Sequence, residues 1–257
     1  MGYLEKVTDD FYKHVPKSTK IEIISEGYIW TEGPVWVPKE HCLLFSDVTE
    51  NTNYKWTEKE GAKPFLKPSG YTGKTKKLQG SNGLFLDNNG YLILCQTGDR
   101  VIARYKGSFT KPMSNFEVIA NNFEGKRFNA PNDLVVDKKG NIYFTDPNFG
   151  IEKGTKEIDY QGVYKIDIKG KVTLLTSKWK TPNGIGLSPD NSKLYIANSE
   201  PALFISYNLS QDGTLSNENI VLDMREALKK SIAKQLPDGM AVKKTELYFL
   251  QVLMVFL

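Results

Sequence analysis

Residues 132–147 read Asn-Asp-Leu-Val-Val-Asp-Lys-Lys-Gly-Asn-Ile-Tyr-Phe-Thr-Asp-Pro, and this stretch decides the fold. A short apolar run (Leu134, Val135, Val136) meets a polar turn ending in Gly140. A second apolar run follows (Ile142, Tyr143, Phe144). Strand, glycine-containing turn, strand is the pattern of a β-hairpin. Val, Ile, Tyr and Phe suit a pleated, packed surface. The same pattern recurs as NGLFLDNNGYLILCQTG from Asn82, NGIGLSPDNSKLYIANS from Asn183 and DGMAVKKTELYF from Asp238. A looser copy, EGPVWVPKEHCLLFSDV, begins at Glu32. The leading residues Glu32, Asn82, Asn132, Asn183 and Asp238 are separated by 50, 50, 51 and 55 positions.

A strand-rich repeat of about 50 residues is the signature of propeller blades. Weaker hairpins lie between the strong ones. Val163 to Ile168 and Lys171 to Leu175 flank a Lys-Gly turn, and Phe204 to Leu209 precedes a Gln-Asp-Gly turn and Ile220 to Leu222. Two hairpins per period make a four-stranded blade. The expected fold is therefore all-β, one propeller domain over residues 1–257, with residues 1–20 as an N-terminal extension. The one helical candidate is Met224 to Lys234, as a short helix or surface loop. Lys63 to Gly80, rich in Lys, Gly, Pro and Ser, reads as a long loop between the first two blades.

The apolar share of 40% and aromatic share of 12% belong to a globular chain able to bury a large core. The net charge of +4 comes from scattered lysines, which argues against nucleic-acid binding. No run approaches the roughly 18 apolar residues of a membrane span. The first 20 residues lack the apolar core of a signal peptide. Cys42 and Cys95 both sit in strand-like runs and read as buried thiols of a reducing, cytoplasmic compartment. His14 and His41 lie outside the repeat starts, so a histidine zinc site or a Ser-His-Asp triad has little support.

If the blades are radial, the repeat starts converge on one axis. Glu32, Asn132, Asn183 and Asp238 would then offer two carboxylates and two amide oxygens. Such a set of hard oxygen ligands suits calcium, with magnesium, manganese or zinc left open. An ion there could clip the blades together, act on a bound carbonyl or water, or do both.

The motifs WTEGPVW (from Trp30), GDR (from Gly98), RFNAPNDLVVDKKGNIYFTDPNFG (from Arg127), PNGIGLSPDNSKLYIAN (from Pro182) and LPDGMAV (from Leu236) resemble the gluconolactonase/regucalcin-like lactonases. The resemblance runs from about Lys20 to Phe249. It implies a six-bladed propeller with a divalent cation, usually calcium, on its axis. By motif position it places the ligands at Glu32, Asn132, Asn183 and Asp238. It further implies hydrolysis of a small-molecule sugar lactone; Asp238, a ligand with a second oxygen free, is the candidate general base. Asn82 is a candidate for binding sugar hydroxyls. Arg100 is a candidate for the same task, or for anchoring a strand end through Asp99. The run CQTGDR lacks the histidine that many relatives carry just before GDR, which puts the substrate class in question. Arylesterase or phosphotriesterase activity, and a non-catalytic calcium-stabilised propeller that binds a partner, are the alternatives.

A six-bladed propeller of this family needs roughly 290 to 300 residues, so the expected architecture is truncated after about five blades. After Asp238 the chain reads KKTELYFLQVLMVFL, without the expected glycine turn and polar partner strand. Two readings of the apolar tail at 250–257 stay open: a slipped reading frame near Phe249, and a natural apolar end. Either way, Ile21 to Ile24, the candidate ring-closing strand, is expected to lack a partner.

Overall fold

The computed structural model describes residues 16–73, 79–230, 236–242 and 249–251. Strands follow one another in antiparallel groups of four. The first group is β1 (Thr31–Val37), β2 (Cys42–Asp47), β3 (Thr52–Thr57) and β4 (Gly61–Leu66). The second is β5 (Leu84–Leu86), β6 (Leu92–Gln96), β7 (Val101–Tyr105) and β8 (Phe116–Ala120). A small hairpin, β9 (Asn122–Phe123) with β10 (Lys126–Arg127), leads into the third group. That group is β11 (Leu134–Val136), β12 (Ile142–Asp146), β13 (Gly162–Ile166) and β14 (Val172–Thr176). The fourth is β15 (Pro182–Leu187), β16 (Lys193–Asn198), β17 (Leu203–Leu209) and β18 (Leu215–Asp223). A helix, α1 (Arg225–Lys230), precedes a short pair, β19 (Met240–Val242) and β20 (Phe249–Gln251). Within each four-stranded sheet the strand order is the chain order. The leading strands β1, β5, β11, β15 and β19 contact one another in sequence. This is a β-propeller with four complete blades and the first hairpin of a fifth among the described residues.

The local causes are visible in the turns. In three of them an aspartate opens a D-x-x-G turn. Asp87, Asp137 and Asp167 each accept, on Oδ1, the N–H groups two and four residues on. The closing glycines have φ between +82° and +93°, a region that an L side chain enters only with strain. The turn sequence thus sets the register of the strands it joins, for example Leu134 opposite Phe144 and Val136 opposite Ile142.

The second strand of each blade is covered on both faces, so it is apolar nearly throughout: all five residues of β6 and of β12 are buried. The outermost strands are more exposed because one side meets water. β18 reads LSNENIVLD and is mostly exposed. Among the described residues the core is three clusters, one between each pair of neighbouring four-stranded sheets. Leu44, Leu84, Leu94 and Tyr105 join the first two blades, Ile93, Phe128, Phe144 and Tyr164 the next two, and Tyr143, Ile185, Ile196 and Ile205 the last two. Burying each such side chain stabilises the fold by roughly 1.5–3 kcal/mol.

Several expectations change. Lys63 to Leu66 is not loop but part of β4; Pro64 is tolerated there because β4 is an edge strand. The remainder of the expected loop includes residues 74–78, which lie outside the described set. Ile21 to Ile24 forms no strand, and Ile21, Ile23 and Ile24 are exposed. The helix is Arg225–Lys230; residues 231–234 of the expected span lie outside the described set. The segment after Asp238 does find a backbone partner, with Met240 opposite Gln251 and Val242 opposite Phe249. Residues 1–15 of the expected extension and 252–257 of the tail lie outside the described residues. Cys42 and Cys95 are free and fully buried, as expected of core thiols. Among the described residues no helix is long and apolar enough to cross a membrane.

Candidate axial site

The five repeat starts come together. Glu32, Asn82, Asn132, Asn183 and Asp238 line one cavity of about 430 Å3, walled by apolar side chains such as Val35, Phe85, Val136 and Ile185. The glycine after three of the starts explains how closely they approach. A Cβ on Gly33 would stand 2.4 Å from the carbonyl oxygen of Asn82. On Gly83 it would stand 2.7 Å from that of Asn132, and on Gly184 2.4 Å from that of Asp238. The glycine of the E-G pair and of the two N-G pairs lets the neighbouring backbone reach the axis, whereas a Cβ on Gly239 of the D-G pair would meet nothing within 4 Å. Gly83 N donates to Asn132 O at 2.7 Å, joining two blades there.

A second device fixes the segment leading into three of the starts. Asp47, at the end of β2, accepts from Ile29 N at 3.0 Å and Trp30 N at 3.2 Å, just before Glu32. Asp146, at the end of β12, accepts from Asn129 N at 2.7 Å and Ala130 N at 2.8 Å, just before Asn132. Asn198, at the end of β16, accepts from Thr181 N at 3.0 Å, just before Asn183. All three side chains are fully or almost fully buried, so each carries its hydrogen bonds without competition from water. The second blade breaks the rule. Gln96 takes the corresponding place and donates to Ser69 O instead.

The electrostatics are those of converging carboxylates. Burial raises the Glu32 carboxyl to about 8, and the negative charges of Asp238 and Asp133 push the same way, against a hydrogen bond from Trp30 Nε1 at 2.8 Å. Burial also raises Asp238, partly offset by hydrogen bonds from Gly239 N and the Asn183 side chain. Asp133 rises to about 7, again chiefly through burial. No lysine, arginine or histidine lines the cavity among the described residues. Three acidic groups facing one space without a protein cation are the setting in which a divalent ion is favourable.

The donor set fits such an ion. Among the described residues no three His, Cys, Asp or Glu side chains are grouped to hold a metal by themselves. A cation here would take the carboxylates of Glu32 and Asp238 and the amide oxygens of Asn132 and Asn183, a hard and mixed-charge set.

Asp133 is absent from the sequence expectation, although it lines the cavity. It occupies the place where the neighbouring repeats carry glycine. Its Oδ2 accepts from Ile185 N at 3.2 Å and its Oδ1 from Leu134 N at 2.9 Å. The departure of NDL from NGL and NGI was the available signal.

Arg100 is placed elsewhere. It does not line the cavity and is 4% exposed. Its Nε donates to Phe128 O at 2.5 Å and its Nη1 to Thr155 O at 2.9 Å. These bonds turn the side chain into the protein, so it is not available to a ligand in the cavity. Nor does it pair with Asp99 among the described residues; the Asp99 carboxylate instead accepts from Thr72 N and Oγ1.

Comparison with known proteins follows the same line. The chain is 37% identical over 238 residues to a gluconolactonase of Zymomonas mobilis, covering 88% of this chain and 65% of that protein. It is 25% identical to the pentonolactonase XacC of Haloferax volcanii, over 82% of this chain and 62% of that protein. The chain thus spans a little under two-thirds of the length of these curated relatives. A gluconolactonase structure from Xanthomonas campestris superposes with a TM-score of 0.71 at 26% identity, covering 86% of this chain and 69% of that one. The calcium-binding protein regucalcin from Agrobacterium tumefaciens shares the fold, with a TM-score of 0.59 at 16% identity, covering 84% of this chain and 64% of that one. Residues 30–253 match the SMP-30/Gluconolactonase/LRE-like region, and the chain belongs to that family.

Proposed function

We propose that this chain hydrolyses sugar lactones at the axial cavity, with a divalent cation, calcium first, held by Glu32, Asn132, Asn183 and Asp238. The observation that carries the reading is the convergence of these four side chains on one cavity that no lysine, arginine or histidine lines among the described residues. The gluconolactonase and pentonolactonase relatives support the substrate class.

The chemistry adds water to the lactone carbonyl carbon and breaks the ring C–O bond. The products are a hydroxy acid, as its carboxylate, and a proton. Asp238, a candidate ligand with a second carboxylate oxygen to offer, is suited to take the proton from the attacking water. The proton then passes to the ring oxygen as that oxygen leaves. A bound cation supplies Lewis-acid stabilisation of the negative charge that develops on the carbonyl oxygen. Asn82, beside the carboxylates on the cavity wall, offers an amide to the sugar hydroxyls. The apolar walls limit the number of competing waters.

The test is acid release from glucono-δ-lactone at fixed pH, above the spontaneous rate, with millimolar calcium and then with EDTA. Turnover that is lost in EDTA and in Asp238→Asn supports the reading. Turnover equal to the uncatalysed rate under all conditions refutes it.

A further inference from the structure

A hydroxyl bridges each blade to the next at the axis. In the first blade Ser46 Oγ donates to Asn82 O at 2.8 Å. In the second, Thr97 Oγ1 donates to Pro131 O at 2.7 Å, one residue before Asn132. In the third, Thr145 Oγ1 donates to Asn183 O at 2.6 Å. In the fourth, Ser199 Oγ donates to Pro237 O at 2.8 Å, one residue before Asp238. All four residues are at most 5% exposed. Ser46 and Thr145 stand one residue before the end of the second strand of their blades, and Thr97 and Ser199 one residue past it. For all but Thr97 the neighbouring residue fixes the segment before the blade's own repeat start.

Thr145 shows the logic most fully. Its Oγ1 also accepts from Asp133 N at 3.2 Å, so one oxygen ties the Asn132-Asp133 segment to the backbone of Asn183. The backbone of Thr145 holds the same segment, through Asn132 N to Thr145 O at 2.9 Å and Thr145 N to Asp133 O at 3.0 Å. Two candidate ligands from different blades are therefore set by one side chain. Strand-to-strand hydrogen bonds act within a blade. Between blades the contact is otherwise mostly apolar packing, which is non-directional and does not fix a carbonyl to a fraction of an ångström, with a few further polar ties such as Gly83 N to Asn132 O and Ile185 N to Asp133 Oδ2. A buried hydroxyl-to-carbonyl bond does.

We propose that Ser46, Thr97, Thr145 and Ser199 are positioning residues of the axial site, a ring of inter-blade latches that sets the spacing of its oxygen ligands for a divalent cation. The proposal rests on the cation reading given above. Groups that orient metal ligands typically change metal affinity 10–100-fold when removed. The step is geometric and involves no covalent change.

The experiment is calcium binding by titration calorimetry on the whole chain, well below its melting temperature. The variants are Thr145→Val, Thr145→Ser, Thr97→Val and, on the exposed outer strand, Thr173→Val. Thr145→Val and Thr97→Val should each weaken calcium binding tenfold or more. Thr145→Ser keeps the hydroxyl and should stay within about threefold of the parent, as should Thr173→Val. A merely structural role would lower the melting temperature in EDTA and leave calcium affinity unchanged. If Thr145→Val does not fold, Thr97→Val decides by the same criterion. A parent that binds calcium with both latch variants within threefold of it overturns the latch and leaves the cation reading standing. A parent that binds no calcium overturns the cation reading and the latch with it.

Discussion

The Cα of Gly33 faces the carbonyl oxygen of Asn82 so closely that a Cβ on Gly33 would lie 2.4 Å from it. Gly33 also has φ of +55°. Gly61, at the start of β4, has φ of +67° with nothing within 4 Å of its would-be Cβ. The two glycines separate backbone strain from crowding at the axis. Gly61→Ala should cost about 1 kcal/mol, the strain alone. Gly33→Ala adds a backbone clash and should cost about 3 kcal/mol or more, with loss of the calcium response. At roughly 2–4 °C per kcal/mol, thermal melts resolve the difference. Equal losses would mean the axial approach is not tight.

Asp146 should be sensitive for a different reason. Its carboxylate serves two buried N–H groups, those of Asn129 and Ala130. Asp146→Ala leaves both without a partner, at about 3 kcal/mol. Asp146→Asn keeps one acceptor, the arrangement Asn198 uses in the next blade, and should lose roughly half as much. Chemical denaturation of the two variants checks the order.

Asp238→Asn separates chemistry from folding. Removing a proton acceptor should lower kcat for lactone hydrolysis by about 100-fold or more. It also removes one of three like charges, so the cation-free variant should melt no lower than the parent in EDTA. Unchanged kcat would remove Asp238 from the reaction.

The pH dependence follows from Glu32. Its folded-state value of about 8 exceeds its ordinary value of 4.5, so the folded protein binds the extra proton between them. The stability linked to that proton is fully present below about pH 4.5 and is lost as pH rises through about 8. Asp133, raised to about 7, acts in the same direction. Asp190 and Asp223, lowered to about 2, contribute stability that is present above the ordinary carboxylate value and is lost only as pH falls towards about 2, outside this window. In EDTA the melting temperature should therefore fall from pH 5.5 to pH 8.5. Calcium replaces the proton, so its stabilising effect should grow over the same interval. A cation-free melting temperature that rises with pH would contradict the electrostatics of the site.

The repeat made the axis legible. Glu32, Asn82, Asn132, Asn183 and Asp238 stand at near-constant spacing, and a radial fold turns constant spacing into convergence. Asp133 was hidden because the second position of each copy reads as turn glycine, and one exception looks like drift until its side chain is seen facing the cavity. Arg100 was misplaced because three letters, GDR, carry no direction; its guanidinium turns inward to two carbonyls. The latching hydroxyls Thr145 and Ser199 were hidden too, since serine and threonine at a strand end are unremarkable without the neighbouring blade. β4 and β18 were missed or shortened because outer strands are polar on one side, and periodicity fades there.

The central claim is that the four oxygen ligands assemble into a site for a cation. A thermal melt in EDTA and then in millimolar calcium tests it most directly. Calcium that binds only the folded protein, at about 100 times its Kd, adds about 2.7 kcal/mol. For a domain of this size the cooperative transition should then move up by roughly 5–10 °C. A transition at the same temperature in EDTA and in calcium would contradict the account.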